Sequence, residues 1–181
     1  MTMNVRLSTV TDAAAIAAVH VASWQEAYSG LIPQHYLDSL SVPDRTQTWE
    51  QIMSQPPKPG VATLVAEQDS RIIGFASIGP SRDDDAEPHT QELWGIYLHP
   101  DHWGAGHGHT LHAQALSGWR ATGSTATVEA TLWVLAGNKR ARRFYEQHGW
   151  SADGAEKTDW RGDVRLDEVR YRCRLSADPE A

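Results

Sequence analysis

The sequence contains a single cysteine, Cys173, among 181 residues, so it cannot form an intramolecular disulfide. It also lacks an apolar run of about 18 residues, the length that a membrane-spanning helix needs. Its first residues include no apolar segment of the kind found in secretory signals, so we expect no such signal. Together these absences predict a cytoplasmic protein without a membrane partner.

Positive charge is scarce as well. Lysine and arginine number 16 against 23 aspartates and glutamates, which gives a formal net charge of −7. Nucleic-acid binding generally needs a basic field, so we expect no nucleic-acid partner. What the sequence does contain, 40% hydrophobic and 22% charged residues, is ordinary for a globular protein.

The order of apolar and polar segments predicts an α/β fold with a mixed sheet. The segments VATLVAEQ and RIIGFASIG, separated by Asp69 and Ser70, predict a hairpin. ELWGIYLHP predicts a strand that stops at Pro100, and TVEATLWVL predicts a buried strand. Helices are expected over about residues 107–121 and after Asn138, a typical helix cap. Because runs of strands precede the single helices, helices should cover both faces of the sheet.

Nothing in the composition marks a domain boundary. The proline-rich segment QPPKPG at residues 55–60 is too near the N-terminus to separate two cores. We therefore expect one domain over residues 1–175 and a disordered tail over residues 176–181. The last predicted strand, VRLDEVRYRCRL, alternates so that its apolar residues share one face and its arginines, Arg170 among them, the other.

Residues 103–109 read WGAGHGH, with three glycines at alternate positions between a predicted strand and a predicted helix. N–H groups at a helix start form an anion site, and glycine lets a phosphate approach them without meeting a Cβ atom. The spacing matches neither a P-loop, since no Lys-Ser/Thr follows, nor the dinucleotide fingerprint. The loop alone leaves two interpretations open: a diphosphate site, or a turn in which glycine only relieves strain.

Five histidines in and around this loop raise the question of a metal site. The pairs His102–His107 and His109–His112 have tolerable spacings for zinc ligands. The neighbourhood offers no cysteine, no acidic partner except Asp101 and no HExxH arrangement, so we expect no native metal. The histidines, which include His99, are expected to flank phosphates or to lie on the helix surface.

Two longer segments resemble the Gcn5-related N-acetyltransferase (GNAT) family. ELWGIYLHPDHWGAGHGHTLHAQAL resembles its acetyl-CoA signature, in which a strand is followed by Arg/Gln-x-x-Gly-x-Gly/Ala and a helix. LWVLAGNKRARRFYEQHGW resembles the family's strand, asparagine and helix downstream, and SWQEAYSGLIP resembles the first-helix region of one branch. The sequence departs from the pattern at Trp103, which replaces Arg/Gln and cannot supply a charge-assisted contact, and at His107 and His109, which replace small residues.

The resemblance implies the GNAT acyl-CoA N-acyltransferase fold, a central and mostly antiparallel sheet with helices on both faces. It implies transfer of an acetyl group from acetyl-CoA, the co-substrate, to a primary amine of a small molecule or peptide by direct attack and without a metal. Members of the family often dimerise, so a homodimer is an open expectation. A non-catalytic acyl-CoA sensor and a histidine-dependent metal hydrolase are the alternatives.

By the same resemblance, the glycine loop holds the diphosphate of the cofactor, and the preceding strand pairs with its pantetheine arm. The amides from Gly104 to His109 would hold the phosphates, with the Thr110 hydroxyl as a further contact. The expected cofactor-binding residues are Ile96, Tyr97, Leu98, Trp103, Gly104, Ala105, Gly106, His107, Gly108, His109, Thr110 and Asn138.

Two residues match catalytic positions of the family. Tyr145 matches the general-acid tyrosine that protonates the leaving thiolate, and we expect it to face the cleft while Phe144 faces the core. Glu92, at the head of its strand, is the candidate base for the amine's proton, directly or through water. The alternatives are a half-buried helix tyrosine and a solvated strand end. Gly95, in the same strand as Glu92, is typical of a β-bulge.

Three further features have open interpretations. The acidic segment DDDAE, residues 83–87, either attracts a cationic amine or is an ordinary solvated loop. Trp24, Tyr28 and Trp160 either line the acceptor cleft or belong to the core. The basic segment KRARR, residues 139–143, either reaches a cofactor phosphate or forms a solvated helix face.

Overall fold

The structure, a computed structural model, describes residues 3–120 and 128–175. The strands are β1 (Asn4–Leu7), β2 (Ala62–Gln68), β3 (Arg71–Pro80), β4 (Gln91–Leu98), β5 (Val128–Leu135), β6 (Ser151–Arg161) and β7 (Val164–Leu175). The helices are α1 (Ala13–Ala27), α2 (Gln34–Asp38), α3 (Val42–Met53), α4 (His107–Arg120) and α5 (Lys139–Gln147), and short 3-10 turns cover Val10–Asp12 and Pro100–His102.

The strands form one sheet in the order β1-β2-β3-β4-β5-β7-β6. Every neighbouring pair is antiparallel except β4 and β5. The predicted hairpin is β2–β3, and its turn residues Asp69 and Ser70 have φ angles of 51° and 60°, the left-handed region that two-residue hairpin turns favour. The expected mixed, mostly antiparallel sheet is confirmed.

Helices cover both faces of this sheet, as expected. Helices α1 and α3 pack against Phe75 of β3 through a buried cluster that includes Trp49. Helix α4 contributes Leu111 to a second cluster, which contains Ala76 of β3. Phe75 and Ala76 are adjacent, and successive side chains of a strand point to opposite faces, so the two clusters lie on opposite sides of the sheet.

Strands β4 and β5 separate soon after they meet. Among the described residues, their parallel ladder consists of two pairs, at Gln91 and Glu92 of β4. On the other side of β4, Leu93 and Gly95 pair with two adjacent residues of β3, so Trp94 has no partner and forms a β-bulge. The bulge lies next to Gly95, the residue from which it was expected. The two strands therefore diverge and open a wedge in the middle of the sheet.

The predicted tail, residues 176–181, lies outside the described residues, as does residue 121 at the expected end of α4. Within the described ranges, no helix has the length and apolar character required to cross a membrane.

Candidate active site

The wedge between β4 and β5 opens into a cleft of about 770 Å³, a volume typical of a ligand site. Its walls come from α1, β4, the glycine loop, β5, α5 and the β6–β7 hairpin. The structure brings most of the expected site residues together here. Those that line the cleft are Glu92, Ile96, Tyr97, Leu98, Trp103, Gly104, Gly106, Gly108, His109, Asn138 and Tyr145.

The glycines of the loop are required for two different reasons. Gly104 and Gly106 have φ angles of 80° and 83°, a left-handed conformation that favours glycine. At Gly108 the constraint is packing, because a Cβ atom there would lie 3.3 Å from Cε2 of Phe144. The loop therefore turns sharply into α4 and lies close against α5.

This turn leaves a row of main-chain donors without acceptors. Among the described residues, no main-chain carbonyl accepts a hydrogen bond from the N–H groups of residues 104–108. The N–H groups of His109 and Thr110 instead donate to the carbonyl of Gly106, at 3.1 and 3.4 Å. Free N–H groups at a helix N-terminus form an anion site. The row of free amides is thus one residue shorter than the expected range, which reached His109.

The other loop residues surround this row. The ring of His109 lines the cleft, and its Nδ1 lies 2.8 Å from Nε2 of His148. Ala105, His107 and Thr110 belong to the same turn but do not line the cleft. Within the described ranges, no group of three or more histidine, cysteine, aspartate or glutamate side chains is arranged to hold a metal ion.

Strand β4 presents an edge to the cleft, since beyond its first two residues it has β3 as a partner on one side only. Residues 96–98 line the cleft along this edge. The carbonyl of Leu98 accepts hydrogen bonds from Ser23 Oγ at 2.6 Å and from Trp103 Nε1 at 2.9 Å. Trp103 therefore ties the glycine loop to the end of the strand, and an extended amide-rich ligand can pair with the edge before it.

Helix α5 brings Asn138 and Tyr145 to the opposite wall. Asn138 caps the helix, as expected, because its Oδ1 accepts a hydrogen bond from the Ala141 N–H at 3.0 Å, and it also lines the cleft. Tyr145 lines the cleft but is only 7% exposed and belongs to the core cluster. Phe144 packs against the same cluster and also lines the cleft. The expectation that Tyr145 faces the cleft and Phe144 the core is therefore only partly right. Burial raises the pKa of Tyr145, so its hydroxyl stays protonated at neutral pH.

Glu92 is 2% exposed, so its interpretation as a solvated strand end is wrong. Its carboxylate accepts hydrogen bonds from the Arg82 guanidinium at 2.7 Å and from the Arg82 N–H at 2.9 Å. The same guanidinium lies over the ring of Trp94, 4.7 Å from its centroid. Glu92 is thus one half of an ion pair in the cleft wall, and Arg82 uses acceptor sites on both of its oxygens.

The acidic loop is held by Arg170, whose side chain is 7% exposed. Its guanidinium lies 2.6 Å from Asp85, 2.7 Å from Asp153 and 3.2 Å from Asp83. Trp133 Nε1 also donates to Asp83, at 2.9 Å. The loop is therefore not a free solvated segment. Arg170 is buried on the arginine face of β7, because aspartates from the loop and from β6 converge on it.

The β6–β7 hairpin contributes charges to the cleft that no sequence motif predicts. Glu168 lines the cleft with its side chain 22% exposed, and its Oε2 lies 3.5 Å from Nζ of Lys157. Burial raises the pKa of Glu168. Burial also raises the pKa of Tyr28, and electrostatic effects of Tyr97 and Glu168 raise it further. No motif marks Glu168, since its position depends on how two distant segments pair.

The aromatic residues expected in the acceptor cleft divide into two groups. Trp24 and Tyr28 line the cleft, with ring centroids 4.9 Å apart, and they also pack against a buried cluster of the core. Both interpretations therefore hold for them. Trp160 is 57% exposed and does not line the cleft, so that expectation is wrong.

Solved structures share this fold. The crystal structure of PaiA N-acetyltransferase from Thermoplasma acidophilum, in complex with coenzyme A, matches with a TM-score of 0.71 and 21% sequence identity. The match covers 97% of this chain and 100% of that one. The chain thus shares its fold with that protein.

Sequence comparisons identify the class of protein. The model of the acetyltransferase (GNAT) family matches residues 23–150. The chain is 32% identical to the N-acetyltransferase YuaI of Bacillus subtilis, over 92% of its own length and 90% of that protein. It is 28% identical to Probable N-acetyltransferase Rv2775 of Mycobacterium tuberculosis, over 98% of this chain and 97% of that protein. The chain belongs to the GNAT acetyltransferase family, as its motifs predicted.

Proposed function

We propose that the protein transfers the acetyl group of acetyl-CoA to a primary amine of a small molecule or peptide by direct attack. The observation that carries this proposal is that one cleft is lined both by Tyr145 and by the three glycines, Gly104, Gly106 and Gly108, of the row of free amides. Acetyl-CoA supplies the acetyl group as an activated thioester. We assign every other requirement of the reaction to residues of this chain.

The cleft residues fit that co-substrate. A diphosphate needs several donors along a short path, and the free N–H groups of residues 104–108 provide them. The approach is open, because a Cβ atom at Gly104 or Gly106 would have no neighbour within 4 Å. The free edge of β4 suits the amides of the pantetheine arm, and Asn138 lies on the wall opposite.

The transfer requires two proton movements. The acceptor nitrogen must lose a proton to a base, since only the neutral amine has a lone pair for attack. As the N–C bond forms and the C–S bond breaks, the sulfur takes the bonding electron pair and then a proton. We assign the donor role at sulfur to Tyr145, because it lines the cleft and matches the family's general-acid tyrosine, and its hydroxyl is protonated at neutral pH.

Two carboxylates are candidates for the base. Glu92, the candidate from the sequence, has to act through a water molecule, since Arg82 occupies acceptor sites on both of its oxygens. Among the described residues, Lys157 is the cation within ion-pair distance of Glu168, at 3.5 Å, and burial raises the pKa of Glu168, which makes it a stronger base than an ordinary carboxylate. This observation makes Glu168 the second candidate for the same role.

The proposal is tested by measuring free thiol release from acetyl-CoA with a panel of amino acids, polyamines, aminoglycosides and short peptides. The wild type should release thiol with at least one acceptor class. Tyr145→Phe should lower kcat by about a hundredfold or more while its affinity for coenzyme A stays nearly unchanged. Tyr36→Phe, a change to a half-buried tyrosine outside the cleft lining, is the matched control.

The same assay, run on the best acceptor, distinguishes the two carboxylates. If Glu168 is the base, kcat/KM should fall as pH falls through its raised pKa, and Glu168→Gln should remove that limb of the profile. If Glu92 is the base, Glu92→Gln should remove it instead. Binding of coenzyme A without thiol release by any acceptor would contradict the proposal and favour the acyl-CoA sensor.

A further inference from the structure

One residue of the glycine loop differs from the family signature in the polar group it can offer a ligand. Position 103 holds tryptophan where the family signature holds arginine or glutamine, so the loop has lost a charge-assisted contact. The Trp103 ring is fixed in place, because its Nε1 donates to the Leu98 carbonyl at 2.9 Å and the residue is half-buried. One face of that ring is covered by a cation from another element.

The cation is Arg140, in the first turn of α5. Its guanidinium carbon lies 3.5 Å from the centroid of the Trp103 ring, a close cation–π stack. Trp103 and Arg140 both line the cleft, as do Gly104 and Gly106. Two segments that are distant in sequence therefore bring a positive charge to the position where the family signature places one.

Arg140 has donors that no described group uses. Among the described residues, no carboxylate lies within ion-pair distance of it, and no acceptor takes a hydrogen bond from it. Glu26 acts on it only through longer-range electrostatics, and desolvation lowers the pKa of Arg140. Stacking uses the face of a guanidinium and leaves its five in-plane N–H groups free, which is the geometry that binds phosphate oxygens.

Arg143 of the basic segment also lines the cleft, but among the described residues no aromatic ring lies beneath its guanidinium. Lys139 and Arg142 do not line the cleft. Arg142 is turned inward, because it donates to the Tyr171 hydroxyl at 3.0 Å and to the Ala136 carbonyl at 3.1 Å. Lys139 is exposed. The two interpretations of this segment, a phosphate contact and a solvated face, therefore apply to different residues of the same helix.

We propose that Arg140, held on the face of Trp103, is the cation that neutralises the cofactor's diphosphate in place of the residue missing at position 103. This inference rests on the proposed use of acetyl-CoA. It adds a charged contact to the amide row, since guanidinium–phosphate hydrogen bonds are among the stronger ones in proteins. It also gives Trp103 a role as a positioning residue.

The test is calorimetric binding of coenzyme A, dephospho-coenzyme A and pantetheine, none of which requires an acceptor. Arg140→Ala should weaken binding of coenzyme A and of dephospho-coenzyme A about tenfold or more, and leave that of pantetheine unchanged. Lys139→Ala removes the same charge from the neighbouring position and should change none of the three. The double variant Trp103→Arg, Arg140→Ala should recover most of the lost affinity.

The outcomes separate the inference from the proposed function. A wild type that does not bind coenzyme A would contradict the proposed function itself. Normal coenzyme A binding by a folded Arg140→Ala variant would overturn the inference alone. A loss seen with coenzyme A but not with dephospho-coenzyme A would assign Arg140 to the 3′-phosphate and would also overturn it. Recovery of affinity by arginine at position 103 would support the inference that Arg140 supplies the charge missing at that position. This result would hold even if Arg140→Ala lowered the stability of the fold.

Discussion

The cleft has one region in which main-chain N–H groups are the candidate ligand contacts and another in which side chains are. The loop end consists of residues 103–109, where free N–H groups from one short segment form the anion site. The hairpin end consists of Trp24 and Tyr28 of α1, Glu168 and Lys157 of the β6–β7 hairpin, and the loop between β3 and β4. A main-chain site depends on local conformation, whereas a side-chain site depends on how distant segments meet. The two ends should therefore respond differently to substitution.

The largest effect is expected at the hairpin end, from Arg170→Ala. This change leaves Asp83, Asp85 and Asp153 without their shared cation, and Asp83 and Asp153 have side chains only 13% and 16% exposed. Removing one partner of a buried ion pair costs about 3–5 kcal/mol. Urea denaturation should therefore show a fall of about this size in the free energy of unfolding, while the folded fraction retains its affinity for coenzyme A.

The matched control for this change is Arg165→Ala on the same strand. Arg165 and its partner Asp167 are 2.8 Å apart, but their side chains are 60% and 55% exposed. An exposed pair of this kind contributes about 1 kcal/mol or less. If the two variants were equally stable, Arg170 would not be what fixes the acidic loop. If Arg170→Ala abolished coenzyme A binding in the folded protein, the two ends would not be independent.

These results also show which parts of the molecule the sequence can predict. The strands, the β-bulge beside Gly95, the cap at Asn138 and the glycine loop follow from local patterns of apolar residues, glycine and cap residues. The ion pair between Arg82 and Glu92 does not, because it depends on how the loop between β3 and β4 folds back over the strand.

Register limits what the sequence predicts of the C-terminal strands. The ladder between β6 and β7 shifts between Ala152 and Glu156, so simple alternation does not give the environment of each residue. Alternation places Arg170 on the arginine face of β7 but does not indicate its burial, which arises because β7 lies inside the sheet and aspartates of the β3–β4 loop and of β6 contact it. Glu168 enters the cleft for a similar reason, and no spacing along the chain indicates it.

A smaller effect is expected at the loop end, from Gly106→Ala. With a φ angle of 83° at this position, an L-residue costs about 1–2 kcal/mol, or else the loop changes conformation. Either outcome disturbs the row of amides, so affinity for coenzyme A should fall about tenfold while the change in the free energy of unfolding stays within about 2 kcal/mol. Calorimetry and urea denaturation measure the two quantities.

Gly118→Ala is the control on the same helix. Among the residues that the structure describes, a Cβ atom at Gly118 would have no neighbour within 4 Å, and this glycine does not have a positive φ angle. Alanine should therefore raise the free energy of unfolding by about 0.5–1 kcal/mol and leave coenzyme A binding unchanged. If Gly106→Ala bound coenzyme A as tightly as Gly118→Ala does, the left-handed conformation at Gly106 would not be required for binding at the loop end.

The smallest effect is expected beneath the hairpin end, where the ring of His20 lies between the helices and the sheet. Its centroid is 4.9 Å from that of Tyr97 and 5.7 Å from that of Trp24, two residues of the cleft wall. Within the described ranges, neither ring nitrogen has a hydrogen-bond partner. Burial, with a smaller effect from Arg45, lowers the pKa of His20 from 6.5 to about 3.

The sign of the pH effect follows from these two values. Below pH 6.5 the unfolded chain protonates His20 while the folded protein does not, so stability should fall as pH falls toward 3. The slope is at most about 1.4 kcal/mol per pH unit. Asp12, whose pKa Arg6 lowers from 3.8 to about 2, affects stability only at lower pH. Burial raises the pKa of Glu168, which acts with the opposite sign, so the contribution of the histidine is the difference between wild type and a His20 variant.

His20→Phe should therefore remove this contribution from the dependence of unfolding free energy on pH below pH 6.5. At pH 7.5 the variant should be at least as stable as the wild type, because it removes two buried nitrogens that lack partners. His35→Gln, at a histidine whose side chain is 69% exposed, is the control and should retain the wild-type slope. An unchanged slope in His20→Phe would mean that the aromatic layer under Tyr97 admits a charge, and the hairpin end would then be more open to water than its packing indicates.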